Sequence, residues 1–186
     1  AIEDLVRAKD VFVSPQEYYR EQGGSPRKRF GQHFLIQPKT AERIVASAEL
    51  IASDVVVEVA PVSGPDTIHP AQGPALHLVE LDRDLAAFLE RDLPASECRV
   101  SFYREDILNI DLCALDQGRE DHLVLLGNLP YNISSPLVFR LLESRRCIKR
   151  AVFMMQKEVG ERLAAHPGGK EYGVLSVLLG LYARVQ

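Results

Sequence analysis

Leu125-Leu126-Gly127-Asn128-Leu129-Pro130-Tyr131-Asn132-Ile133-Ser134 is the stretch from which the fold can be read. Residues 122–126 form an apolar run of strand length, and the run breaks at Gly127. An amide, a proline and an aromatic ring follow. Helix signals then begin at Ser135, expected as N-cap, and Pro136, expected at the first helical position. A strand ending this way puts Asn128, Leu129, Pro130 and Tyr131 at the carboxyl end of a sheet, where open α/β folds bind ligands. The groups suit a planar, amine-bearing ring. Asn128 offers a carbonyl oxygen and an NH2 group, Pro130 restricts the backbone so that the Leu129 carbonyl can be aimed, and Tyr131 supplies a stacking face. The plainer alternative is a strand-to-helix loop with a turn proline, and the tetrapeptide alone is compatible with both.

Working outward, Val55-Val56-Val57-Glu58-Val59 is a continuous β-branched run of the kind found in a central parallel strand. Residues 75–81 read as a second strand, closed by Asp82-Arg83-Asp84. Residues 100–103 read as a third, ending in Glu105-Asp106, with 122–126 the fourth and 151–155 the fifth. Between them apolar residues recur at helical spacing. Ala41, Ile44, Val45 and Ala48 follow Thr40 as N-cap, and Leu85, Phe88 and Leu89 precede Pro94. Leu137, Val138, Leu141 and Leu142 follow Pro136, a further helix is expected over 156–165, and Val174, Leu175, Leu178, Leu179 and Tyr182 mark the last. The alternation predicts an α/β fold whose parallel sheet has right-handed crossovers and strand order 3-2-1-4-5.

The chain has 186 residues, 46% hydrophobic and 26% charged, which is globular material for one domain and a small appendage. Residues 1–26 end in Gly23-Gly24-Ser25-Pro26, a linker signal, and read as an extension to a domain over 27–186. No apolar run approaches the roughly 20 residues of a membrane span, and Glu3, Asp4 and Asp10 argue against an organellar transit peptide. Cys98, Cys113 and Cys147 are widely spaced with no Cys-x-x-Cys pair, so no metal site is expected and a reduced, cytoplasmic setting is. A net charge of −4 gives no global field for nucleic acid. Phosphate contact must then be local. Arg27-Lys28-Arg29, beside the aromatic-rich Phe30-Gly31-Gln32-His33-Phe34-Leu35, is the candidate, although a basic triplet is commonly just solvated.

Four consecutive expected strands carry a polar group at or near their carboxyl ends: Glu58, Glu80, Asp106 and Asn128. One such acid is ordinarily a helix cap. Four together predict a shared ligand site on one rim of the sheet, with Glu80 where an acid in Rossmann-like folds binds ribose hydroxyls.

With these residues in view, the chain resembles the small-subunit rRNA adenine N6,N6-dimethyltransferase family. The likeness is carried by Phe30-Gly31-Gln32-His33-Phe34-Leu35, Glu80-Leu81-Asp82-Arg83-Asp84-Leu85, Asn128-Leu129-Pro130-Tyr131-Asn132-Ile133-Ser134 and Gln156-Lys157-Glu158-Val159. Erythromycin-resistance rRNA methylases share the general design. The resemblance implies a Rossmann-like class I methyltransferase fold, S-adenosylmethionine as methyl donor, and adenines of small-subunit rRNA or of the pre-ribosomal small subunit as acceptor. It also implies a monomer with no membrane and no metal partner. Carried over by position, Gln32, His33, Leu35, Glu58, Ala60 and Gly64 border the donor, with Glu80 on its ribose and Asp106 on its adenine amino group. Asn128 lies between donor and target base, the Leu129 carbonyl and Asn128 side chain accept from the target N6-amino group, and Tyr131 stacks on the flipped base.

Two departures qualify what the resemblance implies. The family's donor loop reads Glu-x-Gly-x-Gly-x-Gly, whereas here Glu58-Val59-Ala60-Pro61-Val62-Ser63-Gly64 keeps only the last glycine, and Pro70 opposes a full helix after it. Weak donor binding is therefore expected. The family also continues beyond the position of Gln186 with two more strands, an aromatic-proline motif and a small helical domain, which leaves an exposed sheet edge here. The alternative reading is a methyltransferase-like RNA-binding or ribosome-assembly protein that no longer uses the donor. A small-molecule methyltransferase is disfavoured by Arg27-Lys28-Arg29 and the Asn-Leu-Pro-Tyr block.

Overall fold

The structure, a computed structural model, describes residues 38–61, 75–92, 100–116, 120 and 122–186. In chain order the elements are α1 (Pro38–Ala48), β1 (Val55–Val59), β2 (Ala75–Val79), α2 (Arg83–Asp92), β3 (Val100–Tyr103), β4 (Leu123–Asn128), α3 (Ser134–Glu143), β5 (Ile148–Met154), α4 (Lys157–Leu163) and α5 (Val174–Tyr182). Three short 3₁₀ turns, Ile107–Asn109, Cys113–Asp116 and Arg145–Cys147, fill the connections around β4 and α3. The five strands form one sheet in the order β3-β2-β1-β4-β5, and every pairing is parallel. This is the order expected from the alternation of strands and helices.

The centre of the sheet is the most apolar part. All five residues of β1 are buried, as are Leu123 to Gly127 of β4, because helices or 3₁₀ turns cover both faces of these strands. One face carries Val55, Val57, Val59, Val79, Leu123, Leu125 and Leu137 together with Ile107, Ile110 and Leu112 from the segment after β3. The other carries Val56, Leu76, Leu78, Val124 and Leu126, closed by Ile44, Val45 and Ala48 of α1. The edges among the described residues are β3 and β5, whose exposed and half-buried positions alternate or mix.

At the amino end of the sheet β5 is tied to its neighbours by charge. The β4–β5 register skips Lys149, a bulge that frees its side chain to reach the buried Asp54 at 2.7 Å. Arg150 bonds the Ala48 carbonyl at 2.9 Å and pairs with Glu49. These contacts hold the end of the sheet opposite the candidate site and leave the carboxyl rim to other groups.

Several expected boundaries shift. Helix α1 begins at Pro38, so Thr40 lies inside it and is not its N-cap; proline at the first helical position forfeits no helical hydrogen bond. Helix α3 begins at Ser134 with Ile133 as its N-cap, two residues earlier than the expected cap at Ser135 and start at Pro136. The second strand ends at Val79, the fourth runs on to Asn128, and the fifth starts at Ile148. The cysteines also differ from expectation. Cys113 and Cys147 are joined as a disulfide with their Cα atoms 5.5 Å apart, linking the 3₁₀ turn before β4 to the one before β5. Their separation of 34 residues hid the pairing, which depends on two turns meeting behind β4.

Candidate functional site

Parallel register brings the predicted strand-end groups to one rim. Val59 lies level with Val79 on one side and Gly127 on the other, Val79 is level with Tyr103, and Asn128 is level with Met154. Glu58 is therefore the penultimate residue of β1, Glu80 follows β2 directly, Asp106 lies just past β3, and Asn128 closes β4. All four stand at the carboxyl end, as expected. Gln32, His33, Leu35 and Gly64, and the basic residues Arg27, Lys28 and Arg29, lie outside the described residues.

On the β1–β3 side the groups are acidic, with Glu58 and Glu80 buried and Asp106 half-buried. Glu58 and Glu80 are only 7% and 6% exposed. Burial pushes the Glu80 carboxyl up to about 7, the Asp82 charge adds to this, and backbone N–H groups at Asp82 and Leu81 oppose it. One of those bonds is explicit, from the Asp82 N–H to Glu80 Oε1 at 2.8 Å. Asp82 is itself the cap of α2, taking the N–H groups of Asp84 and Leu85 on Oδ1. Asp106 caps the Ile107–Asn109 turn through the Leu108 N–H at 3.0 Å. Any ligand contact by Asp106 must therefore coexist with a structural role.

The chain leaves β1 through Ala60, whose φ is 51° and whose N–H bonds the Val79 carbonyl at 2.9 Å. This is a left-handed residue with a Cβ, at a position where the family resemblance implies a glycine. The conformation costs an L-residue roughly 1–2 kcal/mol.

On the β4 side the loop is held at successive points. Gly127 leaves no room for a side chain, since a Cβ there would fall inside the van der Waals surface of the Val59 carbonyl oxygen. The Leu129 N–H bonds the Met154 carbonyl at 2.9 Å and its side chain is buried. The Pro130 carbonyl accepts from the Ile133 N–H at 3.2 Å and from the Ser134 hydroxyl at 3.1 Å. Tyr131 lies at the apex of that turn with its residue 55% exposed, a large side-chain surface facing solvent at the end of β4. Reading the sequence for chemistry missed Ser134 and Met154. A serine four residues after the proline carbonyl it bonds is the signal for the first; no signal announces a backbone carbonyl on the next strand.

A family model described as "Ribosomal RNA adenine dimethylase" matches residues 23–186. The chain belongs to that family. A "Ribosomal RNA small subunit methyltransferase A" of Acidithiobacillus ferrooxidans is 43% identical over 169 residues, covering 89% of this chain and 62% of the relative. The protein of the same description from Tolumonas auensis is 45% identical over 166 residues, covering 88% of this chain and 60% of the relative. The chain thus spans about six tenths of the length of these curated relatives. Among solved structures, a dimethyladenosine transferase from Plasmodium falciparum superposes with a TM-score of 0.68 at 28% identity, over 80% of this chain and 52% of that one. The 23S rRNA methyltransferase ErmE gives a TM-score of 0.57 at 25% identity, over 70% of this chain and 50% of its own. The mixed α/β sheet is therefore that of the Rossmann-like methyltransferases of this family.

Among the described residues no three His, Cys, Asp or Glu side chains are grouped to hold a metal, and no helix is long and apolar enough to cross a membrane. The acids that are present fit a nucleoside-type ligand better than a cation. Glu80 lies too deep to be merely solvated, and in its carboxylate form it can accept from hydroxyl groups at the rim.

Proposed function

We propose that this chain is the donor- and base-binding domain of an rRNA adenine N6,N6-dimethyltransferase, with residues 27–186 forming that domain and 1–26 an extension. The observation that supports it most is the order along the rim: Asp106 after β3, Glu80 after β2 and Glu58 in β1, then Asn128, Leu129, Pro130 and the exposed Tyr131 at β4. S-adenosylmethionine supplies an electrophilic methyl group when bound. Glu80 receives its ribose hydroxyls, Asp106 its adenine amino group, and Gln32, His33, Leu35, Glu58, Ala60 and Gly64 border it.

The target adenine's exocyclic amine shares its lone pair with the ring and is a poor nucleophile. The Leu129 carbonyl and the Asn128 side-chain oxygen accept from its two hydrogens and favour a pyramidal nitrogen. No strong base is needed, and positioning does most of the work. Tyr131 stacks on the flipped base and offsets about 1–3 kcal/mol of lost stacking. Arg27, Lys28 and Arg29 contact RNA phosphate. In this reading the protein works as a monomer on small-subunit rRNA or the pre-ribosomal small subunit in the cytoplasm.

A second reading, a ribosome-assembly protein that binds RNA without using the donor, is favoured by one observation: the alanine at positive φ in the donor loop. Transfer of labelled methyl groups to small-subunit rRNA separates them. The first requires N6-methylated adenine in the product; RNA binding with no transfer at saturating donor overturns it in favour of the second.

A further inference from the structure

We infer that Ser134 is a positioning residue for the base-binding loop, holding both the Leu129 carbonyl and the Tyr131 ring in the directions that the proposed reaction needs. The inference rests on that reading for its consequence but not for its geometry. Pro130 has its φ fixed by the ring. Its ψ is then the soft dihedral between the Leu129–Pro130 peptide, which carries the Leu129 carbonyl, and the Tyr131 Cα. The direction of the Pro130 carbonyl sets that ψ.

Two donors converge on this oxygen, the Ile133 N–H at 3.2 Å and the Ser134 Oγ–H at 3.1 Å. Upstream, the Leu129 N–H is tied to Met154 at 2.9 Å, and Gly127 is pressed against the Val59 carbonyl. The loop is thus anchored on either side of the Pro130 ψ, the backbone dihedral that carries the Tyr131 Cα. Ser134 is the only residue in this set that acts through its side chain. Its residue is 1% exposed, whereas Tyr131 and Asn132 between the two anchors are exposed. A serine at the start of a helix commonly turns its oxygen toward the helix N–H groups as an acceptor. Here the hydroxyl donates backward across the turn, so its role belongs to the loop before the helix.

The chain contains no tryptophan, so Tyr131→Trp creates a single-tryptophan reporter at the apex of the turn. Time-resolved fluorescence anisotropy of the full chain carrying this reporter is compared with Ser134, Ser134→Ala and Ser134→Thr. The expected result is a fast local component that grows in Ser134→Ala and is suppressed again in Ser134→Thr, which keeps the hydroxyl. The same local motion in Ser134 and Ser134→Ala overturns the inference. In the chain without the reporter, Ser134→Ala should lower kcat for adenine methylation roughly tenfold while the Kd for S-adenosylmethionine stays within about twofold, a split expected of misplacement and not of partial unfolding. A parallel fall in kcat and in donor-binding capacity, tracking the folded fraction, also overturns it. If the unaltered chain transfers no methyl group, the proposed function fails while the anisotropy comparison still decides the role of Ser134.

Discussion

On the β4 side of the rim the backbone is fixed by the Leu129–Met154 bond, by the two donors on the Pro130 carbonyl and by a glycine with no space for a side chain. On the β1 side the chain leaves its strand through an alanine at φ 51°, next to a carboxyl group that burial holds near neutral pH. The first region matches its family motif and spends little on strain. The second keeps the acids expected of a donor site while the loop between them departs from the glycine pattern. The difference teaches that a Rossmann-like sheet can keep its framework while the chain leaving one strand departs from the glycine that the family resemblance implies there. The sheet does not register the change, because Val59 still pairs with Val79 and Gly127.

The strongest way to break this comparison is at the residue the two sides share. In Gly127→Ala the new methyl collides with the Val59 carbonyl, a backbone atom that cannot rotate away. We expect a loss of about 3 kcal/mol or more in stability, at the upper end of overpacking costs, read as a lowered midpoint in urea unfolding. An unchanged midpoint would mean that β1 and β4 part easily at the rim, and the contrast between a rigid and a strained side would lose its basis.

The second prediction concerns pH and belongs to the β1–β3 side alone. The folded pKa of Glu80 is raised from 4.5 to about 7, so the folded chain holds a proton that the unfolded chain releases between those values. Its contribution favours folding below the unfolded pKa and is lost as pH rises through the folded one, by up to about 3 kcal/mol. Glu80→Gln should flatten this part of the stability–pH curve. Donor affinity should run the other way, rising with pH through about 7, because hydroxyl groups donate to the carboxylate form. A donor affinity flat across that range would remove Glu80 from the site.

Tyr131 sharpens the other side. Tyr131→Ala should lower RNA methylation by about 10- to 100-fold, the equivalent of one lost base stack of about 1–3 kcal/mol, with donor affinity unchanged. Tyr131→Phe should be mild, since stacking uses the ring and not the hydroxyl. Equal losses of donor affinity and methylation in Tyr131→Ala would show that the two sides of the rim are not separable.

Much of this was legible in the sequence where a residue's chemistry and its local pattern coincide. The β-branched run at β1 and the alternation with helices led to the observed strand order, and the strand-end acids converge as the parallel arrangement requires. That Ala60 stands in the place of a family glycine was legible too; such a glycine marks either a positive φ or a close backbone approach, and the structure has the first. What escaped depends on contacts between distant segments. The Cys113–Cys147 bond joins turns with no local signature, and the Leu129–Met154 bond depends on where β5 ends. The start of α3 was misplaced because Ser134 spends its hydroxyl on the preceding loop, leaving the helix to begin without a side-chain cap.

The central claim is that the donor side of this rim is intact in its acids and impaired in its loop. Calorimetric titration of S-adenosylmethionine into the unaltered chain and into Ala60→Gly combined with Val62→Gly tests it most directly. Val62 lies outside the described residues and enters as the second family glycine position lost from the sequence. Relieving a left-handed alanine and removing a β-branched residue should together recover roughly 2–4 kcal/mol. We therefore predict that the double variant binds the donor about 10- to 1000-fold more tightly than the unaltered chain. Micromolar or tighter binding by the unaltered chain, with no gain in the double variant, would contradict the account.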